Sequence, residues 1–187
     1  IFPRVDGGCR FDIVLLINGV PVSVGELKTP VRSSITWLDG ANDIADYERM
    51  VPQMFVPSIF NFASEGKCYR YGSVNMPVNM WGPWHTPTHK TEGGLADVKI
   101  SMEDMITPER VMDIFQFFTM FATDKKYRKY KIICRYQQFE GANMIVYRVV
   151  DEYKKTYMET VFLGMIGRLD TEELDKFEIS ESYNIIY

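Results

Sequence analysis

Residues Phe11–Pro30 read FDIVLLINGVPVSVGELKTP, two candidate strands around a tight turn. Ile13–Ile17 is an unbroken apolar run, the pattern of a strand buried on both faces. Asn18-Gly19 follows, a pair that tolerates positive φ and marks a hairpin. Val20–Lys28 returns with looser alternation and carries Pro21, which cannot donate to a ladder and belongs at a bulge, a strand start or a sheet edge. One acid, Asp12, opens the first strand. Glu26 and Lys28 close the second.

Register decides whether these charges can meet. A regular two-residue turn pairs Ile17 with Val20 and hence Asp12 with Gly25. Glu26 then points away from Asp12, because side chains alternate with period two. A shift of one residue puts Asp12 opposite Glu26, with Lys28 on the same face. A bulge or longer turn is therefore expected between Val14 and Val24.

Two carboxylates on one face make an oxygen-rich pair suited to Mg²⁺ rather than to zinc. A metal there activates water and stabilises charge on a phosphate. Lys28 would orient that water or neutralise the phosphate. The competing reading is a hairpin end with three solvated charges, since a D-x13-E-x-K spacing alone is a weak motif.

The flanking sequence adds to it. FDIVLLINGVPVSVGELKTP resembles the nuclease motif of type I restriction enzyme R (motor and endonuclease) subunits, a branch of the PD-(D/E)xK nucleases. The resemblance continues through DIADYERMVPQMFVPSIFNFASEGKCYRYGS, Pro83-Trp84, PERVMDIFQFF and KIICRYQQFEGAN, from about Arg10 to Val150. It implies an α/β fold, a restriction-endonuclease-like mixed central sheet flanked by helices. It implies Asp12 and Glu26 as Mg²⁺ ligands and Lys28 as the catalytic lysine of DNA phosphodiester hydrolysis. The implied partners are DNA and the modification and specificity subunits of a restriction complex, in the cytoplasm. In the family a helix beside the site carries Gln-x-x-x-Tyr. Tyr47 matches the tyrosine, whereas Asp43 stands at the glutamine position, so both are supporting candidates. Arg135, Tyr136 and Gln138 resemble the adenine-contacting Q element that precedes a helicase motor.

Composition is compatible with this and excludes some alternatives. The chain has 187 residues, 46% of them apolar, and a net charge of −4. It can bury a sizeable core, and it is not a generally basic DNA-coating protein, so nucleic-acid contact needs local patches. Cys9, Cys68 and Cys134 are odd in number and lack metal-like spacing, which suits free thiols in a reducing compartment. No apolar run approaches membrane-spanning length and no signal peptide is visible. No G-x-x-x-x-G-K-[ST] loop is present, so ATP would bind only in a full-length enzyme. The chain begins at Ile1 rather than methionine, as a fragment would. Ten residues before the hairpin are too few for the helix and strand that the family places there.

Downstream, Trp37–Met50 carries apolar residues at helical spacing, and Pro52 ends or bends that helix. Val56–Phe62 and Cys68–Ser73 read as strands around Glu65-Gly66. Asn75–Gly94 reads as a long loop. Its His85 and His89 resemble a metal pair only on a helix, which Pro87 opposes. Thr107–Ala122 reads as the clearest helix, capped by Thr107 and Pro108. The basic stretch DKKYRKYKIICRYQQ suits either nucleic acid or a solvated strand lead-in. Asp170–Phe177 carries a capping box. The domain reading is 1–106 endonuclease-like, 107–150 leading toward a motor, and 151–187 unassigned. Two other functions remain open: a stand-alone PD-(D/E)xK repair or junction nuclease, and a non-catalytic module that docks a larger complex.

Overall fold

The computed structural model describes residues 9–123, 125, 127 and 129–166, with side chains as far as residue 155. The chain divides into two units, Ile1–Phe139 and Glu140–Tyr187. The boundaries expected after residues 106 and 150 do not coincide with this division.

The first unit is built on a mixed four-stranded sheet in the order β1-β2-β3-β4. The strands are β1 (Ile13–Ile17), β2 (Val20–Leu27), β3 (Phe60–Ser64) and β4 (Tyr69–Ser73). β1 and β2 are antiparallel, β2 and β3 parallel, β3 and β4 antiparallel. A parallel pair needs a crossover. Helix α1 (Trp37–Met50) and the short α2 (Pro52–Phe55) supply it.

The hairpin has both expected features. Asn18 and Gly19 have φ of 49° and 79°, the left-handed pair of a type I′ turn. Ile17 pairs with Val20 and Leu16 with Pro21, but Leu15 pairs with Ser23, so Val22 is the extra residue of a bulge. Pro21 sits beside that bulge, where its missing N–H breaks no regular ladder. Ile13 then pairs with Gly25, and the next step along both strands brings Asp12 to Glu26.

The sheet is covered on both faces. On one, Val24 and Ala63 pack with Ala41 and Ile44 of α1 and with Met54 and Phe55 of α2. On the other, Phe60, Phe62, Tyr69 and Tyr71 pack with α3 (Leu95–Met105) and α4 (Pro108–Phe117) through Val98, Met105, Val111 and Ile114. A second, two-stranded antiparallel sheet joins β5 (Thr119–Thr123) to β6 (Lys129–Ile133). Helix α5 (Tyr136–Ile166) follows and carries the chain into the second unit.

Two expectations are corrected. The strand expected over Val56–Phe62 begins at Phe60 and runs to Ser64, because the parallel ladder with β2 starts only at Ser23–Phe60. The helix expected over Thr107–Ala122 stops at Phe117. The Thr119 hydroxyl donates to the Ile114 carbonyl at 2.8 Å, closing the helix end, and Thr119–Thr123 is claimed by pairing with Lys129–Ile133. Helix α3 lies where the sequence gives little periodicity, since its buried stripe is Val98, Ser101 and Met105. The long Asn75–Gly94 loop is present, with a 3-10 turn at Val78–Met80 and isolated bridges from Gly82 to Tyr71 and between Thr86 and His89. Asp170–Phe177 lies outside the described residues. Among the described residues no helix is long and apolar enough to cross a membrane.

Candidate active site

The open end of the β1–β2 hairpin gathers five of the side chains singled out in the sequence. The bulge makes this possible, because it puts Asp12, Glu26 and Lys28 on the sheet face that α1 covers. The Asp12 carboxylate accepts from the Leu27 amide at 3.0 Å, and the Asp12 amide approaches Glu26 Oε1 at 3.4 Å. These contacts lock the two acids to one another across the strand ends. Lys28 is held at both ends. Its amide donates to the Ser64 carbonyl at 2.8 Å, extending the β2–β3 ladder by one residue. Its ammonium lies 3.6 Å from Glu26 Oε2 and donates to Asp43 on α1.

Helix α1 reaches the site because its start is fixed and its face is small. Thr36 and Asp39 form a capping box, with the Thr36 amide donating to Asp39 at 2.7 Å. One turn on, Gly40 lies against β2 and β3. A Cβ there would stand 3.2 Å from that of Ala63 and 3.3 Å from that of Glu26. Asp43 and Tyr47 follow at helical spacing on the same side. Phe11 props Tyr47 from below, edge-on at 5.3 Å between ring centroids.

Electrostatics separate the roles of these groups. Glu26 is 2% exposed. Burial first, and then the neighbouring Asp12 charge, push its carboxyl up to about 7, with Lys28 only partly compensating. Burial disfavours the Lys28 ammonium, but the hydrogen bond and charge of Asp43, with Glu26 behind, outweigh it and hold the pKa above the ordinary lysine value. Tyr47 is pushed up by burial and by the Glu26 and Asp43 charges, so its phenol keeps its proton at neutral pH. The outcome is a buried carboxyl, Glu26, next to the solvent-reached Asp12 and beside a firmly protonated amine. Arg10 adds only an exposed contact, 3.7 Å from Asp12.

Arg135, Tyr136 and Gln138 lie apart, at the start of α5. Gln138 Oε1 accepts from the Arg135 amide at 2.8 Å, the back-reaching half of a capping box. The Arg135 guanidinium donates to the Met80 carbonyl, and the Tyr136 ring meets His85 edge-on at 4.9 Å. His89 is 2.8 Å from Asp97, so the two histidines turn to different partners. Among the described residues no group of three or more His, Cys, Asp and Glu side chains could hold a metal ion.

Sequence reasoning missed Gly40 and the Leu27 amide. A glycine inside a helical pattern signals close packing. A main-chain donor has no sequence signal.

Residues 5–79 match the family described as Type I restriction enzyme R protein N terminus. The chain is 28% identical over 145 residues to the type I restriction enzyme HindI endonuclease subunit of Haemophilus influenzae, a match covering 75% of this chain and 14% of that protein. A Methanocaldococcus jannaschii protein with the provisional name type I restriction enzyme MjaVIIIP endonuclease subunit is also 28% identical over 145 residues, covering 75% of this chain and 13% of its own. The chain thus spans about one seventh of the length of these curated relatives. No solved structure matches the chain significantly.

Proposed function

We propose, from the match of residues 5–79 to the N-terminal family of type I restriction enzyme R proteins, that this chain is a Mg²⁺-dependent endonuclease module that hydrolyses DNA phosphodiester bonds. The observation that carries the proposal is the convergence of Asp12, Glu26 and Lys28 at one sheet end. The hairpin followed by a helical crossover to a parallel strand supports a restriction-endonuclease-like PD-(D/E)xK core.

The donor set fits the ion. Mg²⁺ is commonly held by one or two carboxylates, with water and substrate oxygens completing its shell. Asp12 and Glu26 are two such groups, and burial and the Asp12 charge raise the Glu26 pKa more than Lys28 lowers it. When bound, the ion would polarise the phosphoryl oxygen and lower the pKa of a coordinated water. The rest falls to the chain itself. Lys28 stays protonated through Asp43, so it serves as a fixed positive charge against the phosphate rather than as a base. Tyr47 keeps its phenolic proton and walls the site. Asp43 holds the amine in place.

In the whole enzyme, DNA and the modification and specificity subunits would be the partners. ATP would act only through a motor outside this sequence, and Arg135, Tyr136 and Gln138 would lead into it.

Mn²⁺-dependent nicking of supercoiled plasmid by wild type, Asp12→Ala and Lys28→Ala tests the assignment. Each variant should lose on the order of a hundredfold or more in rate. Equal nicking by all three would remove the chemistry.

A further inference from the structure

Away from the charged site, the first unit carries an open apolar groove of about 470 Å³. Val20 at the hairpin tip and Val56 before β3 line it, with Met112 and Phe115 of α4 and Phe121 of β5. These side chains are not sealed in. Val56 and Phe121 are each 75% exposed, Phe115 54% and Val20 47%. Apolar surface therefore continues past the rim, more than a small ligand in the groove would cover. Contiguous exposed apolar surface of this kind marks interaction sites in soluble proteins.

One charge stands in this groove. Lys131 of β6 lines it, and its ammonium donates to the carbonyls of Val56, at 3.1 Å, and Ser58. The Phe121 ring lies 5.9 Å from the same nitrogen. Burial alone pushes the Lys131 pKa down, and no carboxylate among the described residues pairs with it. Two main-chain dipoles hold the cation without neutralising it, which leaves it able to take an anionic partner.

We propose that this groove docks a polypeptide segment of a partner chain that presents an apolar face with one carboxylate, the acid pairing with Lys131 and the apolar residues packing between Val56 and Phe115. The carboxylate selects the register, because an apolar groove alone would accept many segments. The proposal is independent of the nuclease reading, since none of its residues belongs to the candidate active site.

A displayed library of random short peptides, selected on the 187-residue chain, tests it. The selected peptides should place Asp or Glu among apolar residues. They should bind wild type about tenfold more tightly than Lys131→Met, the scale of one charge-assisted contact. Amide versions should bind wild type no better than the acids bind Lys131→Met. Phe115→Asp, at an exposed position, should abolish binding while circular dichroism stays unchanged. The proposal is overturned by binders without an acid, by binding that ignores both variants, or by no groove-dependent binder at all. Self-association in ultracentrifugation that Phe115→Asp removes would overturn it in favour of a second copy. Decanoate perturbing the groove signals in NMR spectra, with no peptide doing so, would overturn it in favour of a small amphiphile.

Discussion

The two faces of the four-stranded sheet are built from the same strands and do opposite work. The face under α3 and α4 carries Phe60, Phe62, Tyr69 and Tyr71, all nearly inaccessible to solvent. The face under α1 carries Val24, Ala63, Asn61 and Glu26, smaller or polar side chains. Large rings fill space and keep helices at a distance; small side chains let α1 come close enough to place Asp43 on Lys28. The lesson is that a buried charge needs a thin wall. Gly40 and Ala63 leave room for the Glu26 carboxylate at 2% exposure, and Asp43 from the helix fixes Lys28, whose ammonium lies 3.6 Å from it.

The comparison can be broken most forcefully on the aromatic face. Phe62→Ala should cost about 3–5 kcal/mol, the range for emptying a large buried ring, read as a fall in the urea midpoint. The Phe62 ring also fills the space where a Gly25 Cβ would stand, 2.2 Å from its tip, so the cavity opens directly under β2. Should Phe62→Ala unfold no more easily than Lys28→Ala, the division of labour between the faces is wrong.

A smaller effect tests the charged face. Glu26 titrates near 7 in the fold against an ordinary 4.5. Below 4.5 both folded and unfolded chains hold its proton. Between 4.5 and 7 only the folded chain does, so the metal-free protein should lose stability as pH rises through that window. Glu26→Gln should flatten this loss, and Mg²⁺ should raise the melting temperature of wild type at pH 8 but not that of Glu26→Gln. Parallel pH profiles for the two proteins in EDTA would show that the Glu26 carboxyl is not raised.

The smallest effect probes the thin wall itself. Gly40→Ala gains about 0.8–1 kcal/mol of helix propensity but puts a methyl 3.2 Å from the Ala63 Cβ. Net stability should move by less than about 1 kcal/mol, whereas plasmid nicking should fall several-fold as α1 shifts Asp43 and Lys28. A rate loss no larger than the stability change would mean that α1 tolerates displacement.

Much of the candidate site was legible before the fold was known. The Asn18-Gly19 turn follows from two residues that tolerate positive φ, and the bulge is the condition under which period-two alternation lets Asp12, Glu26 and Lys28 share a face. Helix α1 runs over Trp37–Met50, as its spacing implies. What stayed hidden depends on partners distant in sequence. Thr119–Thr123 continues an apolar stripe that reads as helix, and it becomes a strand because β6 supplies hydrogen bonds that a helix end cannot.

The sequence by itself determined the hairpin turn and the identity of the charges, because those are properties of adjacent residues and their periodicity, whereas its register rests on the bulge at Val22. Only the tertiary structure decided that Asp43 reaches Lys28, that Glu26 is nearly dry and holds its proton to about pH 7, and that Lys131 is a cation without a carboxylate partner among the described residues. The reason is that desolvation and long-range charge depend on which chain segments close over a group, and no local pattern encodes that.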